Sequence, residues 1–202
     1  MGTLTLVQGP MDDVISLATA KARLRVDTGA DDDVIRLIIM AATQRFDGRD
    51  GILGRALLPQ SWRLTLPAFP DALGDIELPL PPLISVESIN YLDTDFVEQT
   101  VSPTIYRVVA GGFGRSRIRL DVDQTWPTSP ADEPDTVRVT FQAGYQDLQS
   151  PANNPVPEPI VQAILMLAQS MYDRPGQEGV PDIVSNLVSP YRIGVFGGIH
   201  GA

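Results

Sequence analysis

The sequence predicts an α+β protein: a small helical bundle from both chain ends, with an inserted antiparallel β module and an extended C-terminal tail. Three observations carry this. Apolar residues recur at helical spacing near both ends, they alternate with polar ones between Trp62 and Ala143, and the last thirteen residues hold four glycines and no acid. The parts are residues 1–60 (N-terminal helical part), 61–150 (β module), 151–189 (C-terminal helical part completing the bundle) and 190–202 (tail).

The first helix is expected from Ser16 to Val26, on the spacing of Leu17, Ala20, Lys21 and Leu24, with Asp27-Thr28-Gly29 ending it. The second begins at Asp31, an N-cap residue type, with Asp32 and Asp33 in the positive first turn. Val34, Leu37, Ile38, Ala41 and Ala42 then follow the i, i+3, i+4, i+7, i+8 pattern of a buried stripe. Ile35, Ile39 and Phe46 widen the apolar surface beyond one face. Such a helix needs cover on a second side, from its own domain or from a neighbouring copy, so these three are the candidates for packing between subunits.

Strands are expected at Trp62–Leu66, Ser85–Leu92, Ile105–Val109, Arg117–Asp121 and Thr136–Phe141, where apolar and polar residues alternate. Turn signals separate them: Pro79-Leu80-Pro81-Pro82, Gly111-Gly112 and Asp132-Glu133-Pro134-Asp135. Five or six short strands so spaced give an antiparallel sheet or a small sandwich. A long helix returns near Pro157, with Pro159 in its first turn, where a missing N–H costs nothing. Its stripe is Ile160, Ala163, Ile164, Leu167, Ala168 and Met171, and it stops at Asp173-Arg174-Pro175-Gly176. A short helix from about Pro181 to Val188 leads into the tail.

Composition excludes several classes. With 43% hydrophobic and 20% charged residues, the chain has the composition of a globular protein. No apolar run approaches the ~20 residues of a membrane helix, and the N-terminus lacks the basic and apolar regions of a secretory signal. There is no cysteine, and His200 is the only histidine, so disulfides, thiolate sites, His triads and multi-His metal sites are excluded within one chain. The absence of cysteine fits folding in a cytoplasm. Residues 61–150 carry 13 acids and 6 bases out of 25 and 15 in the whole chain, so the negative excess sits in the β module. A nucleic-acid grip needs clustered lysine and arginine. An acidic surface instead repels phosphate and lets DNA pass.

No residue set reads as a catalytic or metal centre, and no cofactor is expected. Asp31-Asp32-Asp33 stand where a helix is capped, and successive helical residues do not face one another. The pairs Asp93/Asp95 and Asp121/Asp123 lie near turns, where carboxylates are solvated. Gly111-Gly112-Phe113-Gly114 fits a hairpin better than a phosphate loop. Arg115, Arg117 and Arg119 share one strand face, opposite Ser116, Ile118 and Leu120. They suit a charged interface with a neighbour, a DNA-facing surface or a solvent-facing edge.

The tail is the most informative stretch. Tyr191, Ile193, Val195, Phe196 and Ile199 form an apolar, acid-free segment past the last helix of a chain with net charge -10. Exposed contiguous apolar surface marks a partner site. Burying five such side chains yields roughly 7–15 kcal/mol gross, while ordering the backbone costs about 1–2 kcal/mol per residue. One tail holds weakly; many tails on one symmetric partner hold well. The alternatives are a tail folded back on its own domain or frayed.

Several segments, in order, are similar to one family. They are ISLATAKARLRVD (15–27), DDDVIRLIIMAATQRFDGRDG (31–51), GRALLPQSWRLTLPAFP (54–70), LPLPPLISVESINYLD (78–93), YRVV (106–109), VTFQAGY (139–145), VPEPIVQAILMLAQSMYDRP (156–175) and LVSPYRIGVF (187–196). The ordered set resembles the head–tail connector, or adaptor, proteins of tailed bacteriophages and gene transfer agents, and segment 110–135 matches least. The resemblance implies a non-enzymatic virion neck protein, made in the bacterial cytoplasm. It implies a ring of about twelve copies beneath the portal protein, extending the DNA channel toward a stopper or tail-terminator protein. DNA would pass without sequence-specific binding, and no membrane is involved. The family's C-terminal segment docks on the portal, which here places Tyr191, Arg192, Ile193, Val195, Phe196 and Ile199 in that interface. Two other readings stay open: another neck, tail-completion or baseplate component, and a small cation-binding protein or enzyme using the paired aspartates.

Overall fold

The computed structural model describes residues 2–71, 74–112, 114–130, 133–146, 155–176 and 179–193. The chain divides into two compact units. One contains Met1–Pro10 and Pro59–Gly144, the other Met11–Leu58 and Tyr145–Gly194.

The first unit holds eight strands: β1 (Thr3–Gln8), β2 (Gln60–Leu66), β3 (Ile76–Leu78), β4 (Leu83–Leu92), β5 (Glu98–Thr100), β6 (Tyr106–Val109), β7 (Ser116–Leu120) and β8 (Val137–Ala143). They form a five-stranded sheet, β1-β2-β8-β4-β5, and a three-stranded sheet, β3-β7-β6, with every pairing antiparallel. The central strand β8 shows why alternation specifies a sheet. Val137, Val139, Phe141 and Ala143 are buried, with Arg138, Thr140 and Gln142 half-buried between them. Phe141 stands opposite Trp62 and Val86, and Val139 opposite Leu64 and Ile89. A one-residue slip would turn this whole apolar row outward, so the register is fixed by burial. In the smaller sheet Ile118, Ile76 and Leu78 are buried in the same way.

Although β1 alternates as Thr3-Leu4-Thr5-Leu6, the strands expected from the sequence do not include it, nor β3 and β5. The latter two have three residues each, too few to show a period. Only Leu4 of β1 is buried, because β1 is an edge strand paired with β2 alone.

The second unit is helical: α1 (Leu17–Leu24), α2 (Asp32–Gln44), α3 (Glu158–Asp173), α4 (Asp182–Val188) and a 3-10 turn, Ser189–Tyr191. Ser16 caps α1, its hydroxyl accepting from the Thr19 N–H at 3.1 Å. The helix ends at Leu24, earlier than its periodicity suggests. Arg25 turns left-handed (φ 57°) and Val26 closes back on the Lys21 carbonyl at 3.1 Å. The core is built on α3, whose Ile160, Val161, Ala163, Ile164, Leu165, Leu167 and Ala168 are all buried. Ala20, Val184 and Val188 join the same apolar core, as do Ile35, Ile39, Ala42 and Phe46. Lys21 Nζ meets Asp32 Oδ1 at 2.6 Å, tying α1 to α2. Asp31 stands at the N-cap position, but its carboxylate makes no capping bond; it accepts from the Tyr172 hydroxyl at 3.1 Å.

One expectation is corrected here. Ile35, Ile39 and Phe46 are 0%, 5% and 0% exposed inside their own unit, so they have no surface to offer a neighbouring subunit. The stripe expected on α2 is only partly buried: Ala42 lies in the core and Ile38 packs against it. Val34 and Leu37, placed on the buried stripe, are exposed together with Met40 and Ala41.

Candidate functional site

The described root of the C-terminal tail is seated in a loop that follows α2. Three internal bonds shape that loop: Leu57 N–H to Asp47 Oδ1 at 2.7 Å, Gly48 N–H to the Arg55 carbonyl at 2.6 Å, and Ile52 N–H to the Arg45 carbonyl at 3.0 Å. The folded loop presents Leu53, Gly54 and Arg55 to the segment after α4. The Leu53 carbonyl accepts from the Ile193 N–H at 2.8 Å, and Arg55 Nε donates to the Tyr191 carbonyl. Gly54 has φ +63°, and a Cβ there would stand 3.0 Å from the Ile193 oxygen, so both the backbone and the available space call for glycine.

Arg55 is 2% exposed, the largest fully buried side chain among the described residues. Burial pushes its guanidinium pKa down, opposed by Tyr145 and Tyr191, and burial likewise pushes the Tyr145 phenol up, opposed by Arg55. A buried cation is tolerated only where polar groups surround it. Here those groups include the backbone of the tail root. Neither Gly54 nor Arg55 is marked by any helical or strand period. The available signal is a charged residue set between Gly54 and the apolar run Ala56-Leu57-Leu58.

The residues expected to dock on a portal therefore divide. Tyr191 and Ile193 are half-buried and held by their backbones to the body, Arg192 is exposed, and Val195, Phe196 and Ile199 lie outside the described residues.

The arginine face is present but largely neutralised. Arg119 is held by two bonds to Asp75, at 2.8 and 2.7 Å, and Arg115 lies 3.5 Å from Glu77. Arg117 is exposed and makes no salt bridge among the described residues. The Arg119 bond holds the Asp75 carboxyl below the usual carboxylate range. Three arginines thus offer about one uncommitted charge, too few for a phosphate track.

The paired aspartates serve turns. Asp93 Oδ1 accepts the N–H groups of Asp95 and Val97, each at 2.9 Å, and its Oδ2 accepts from Gln99 at 2.9 Å. These bonds lower its pKa. Asp121 lies 3.8 Å from Arg107. Among the described residues, no three His, Cys, Asp or Glu side chains gather as metal ligands do. No described helix is long and apolar enough to cross a membrane.

The described chain thus comprises a helical unit, an antiparallel β unit and a tail root held by the helical unit. Chains of virion necks have a similar fold. The chain is 25% identical to one in the neck of an empty gene transfer agent particle with C6 symmetry, with a TM-score of 0.76 over 97% of this chain and 98% of that one. It is likewise 25% identical to a chain of the native gene transfer agent virion, with a TM-score of 0.74 over the same shares. A chain in the neck of the native particle, with C12 symmetry, shares the fold at 24% identity and a TM-score of 0.62, over 96% of this chain and 99% of that one. No family model and no curated protein matches the chain.

Proposed function

We propose that this protein is the head–tail adaptor of a phage-like particle. About twelve copies form a ring beneath the portal, extend its DNA channel, and present a platform to the stopper or tail-terminator protein. The observation that carries this is the likeness to a neck chain across 97% of the sequence at a TM-score of 0.76.

The portal contact is assigned to the tail beyond Ile193. The bonds from Leu53 and Arg55 place the start of that segment at one fixed point on each copy. Pre-seating the root lowers the entropy lost on docking. Repetition around the ring then converts weak single tails into a strong joint attachment. The 13 acids against 6 bases of residues 61–150 keep phosphates from sticking as DNA slides past. The role is mechanical and needs no bond chemistry.

The test is decoration of the purified cognate portal ring, read by electron microscopy. A cap of density with the portal's own symmetry at one end is the expected result. Bare portals beside folded protein would move this chain to another level of the neck or tail.

A further inference from the structure

The helix α2 is apolar on two opposite sides. Ile35, Ile39 and Ala42 fill the core, while Val34 (52% exposed), Leu37 (65%), Met40 (52%) and Ala41 lie on the other side. At 100° per residue the exposed four span about 120° of the helix, centred nearly opposite the buried set. A surface helix ordinarily turns charged residues to water on that side, and a helix apolar all round is a buried helix. Three of the exposed large apolar residues of this unit are thus collected on one turn-to-turn patch. Singly scattered ones would need no explanation.

We infer that this face is a contact between adjacent copies of the chain in the ring, an inference that rests on the ring reading above. Two observations select a second copy as the occupant. A cyclic ring requires every copy to bury two surfaces against its own kind, and a similar chain sits in a neck with C6 symmetry. Charge points the same way. Copies of net charge -10 repel each other, so they approach best where a surface carries no net charge. The α2 face is such a place: its four apolar side chains are uncharged, and Asp33, on the same face one turn before Leu37, is neutralised by Arg36 at 3.1 Å. The contact is heterologous, so α2 of one copy meets a different surface on the next.

The test places a photoreactive benzoylphenylalanine at position 37 (Leu37→benzoylphenylalanine) in the full chain and irradiates assembled particles. The same group at Val122, which is 79% exposed, serves as the incorporation control. An adduct of twice the chain's mass is expected from position 37. An adduct with a different neck protein, or no adduct from incorporated chains, overturns the inference while leaving the neck assignment intact. Absence of both variants from otherwise complete particles counts against the neck assignment itself. Should only the position 37 variant stay out, Leu37→Cys replaces it. Thiol labelling at least tenfold slower in particles than in free protein is then required, together with an unchanged labelling rate on bare portal carrying a single copy. Equal rates in particles and free protein overturn the inference.

Discussion

The buried guanidinium of Arg55 donates from Nε to the backbone carbonyl of Tyr191, 136 positions further along the chain. This bond makes the first residues of the tail part of the helical unit and separates them from whatever lies beyond. Replacing Arg55 with Met removes the donor from a closed site and leaves polar neighbours without it. A loss of about 2–4 kcal/mol is expected, combining an unsatisfied buried group with imperfect repacking. Denaturant unfolding of the full chain reads it directly. Arg55→Lys keeps the charge without the planar fork and is expected to fall between the two.

Gly54→Ala meets two obstacles: a left-handed φ of +63° and a Cβ 3.0 Å from the Ile193 oxygen. Gly112 has a similar φ of +57° but open space around it. Gly112→Ala is therefore expected to cost only the backbone part, about 1–2 kcal/mol, and Gly54→Ala more than that. Hydrogen exchange at the Ile193 amide should quicken in Gly54→Ala and stay unchanged in Gly112→Ala.

Acid should weaken the β unit partly through Asp75. Its folded pKa is depressed by the Arg119 bond below the ordinary value of 3.8. The contribution is then full above the ordinary value and is lost as pH falls through the depressed one. Asp75→Asn is expected to be less stable than the parent at neutral pH, with the gap closing as pH drops below 3.8. A gap that widens on acidification would contradict this. Thermal melts across that range decide the sign.

The long elements are legible in the sequence because each repeats its short period several times. The stripe of α3 and the alternation of β8 each repeat several times, and both stand where the spacing put them. What was not legible has particular causes. On α2 apolar residues occupy two opposite sides, so periodicity cannot tell which side its own core takes; Ala42 and Ile38 of the expected stripe meet the core, while Val34 and Leu37 stand on the exposed side. Strands β3 and β5 are shorter than any usable window. The seat at Leu53, Gly54 and Arg55 depends on a bond spanning most of the chain, which no local pattern encodes. Alternation puts Arg115, just before β7, on one face with Arg117 and Arg119, but the partners of Arg115 and Arg119, Glu77 and Asp75, come from β3 and its approach, so no local pattern shows the neutralisation.

In the proposed function, the tail beyond Ile193 anchors this protein to a portal. The most direct measurement compares portal binding by the full chain and by a chain truncated after Ile193, using co-sedimentation with the portal ring. Because Tyr191 and Ile193 keep their bonds to Arg55 and Leu53, this truncation is expected to melt at the same temperature as the full chain. The full chain is expected to sediment with the ring and the truncated, folded chain to remain in the supernatant. Equal binding by the two would place the anchor in the folded body and contradict the claim.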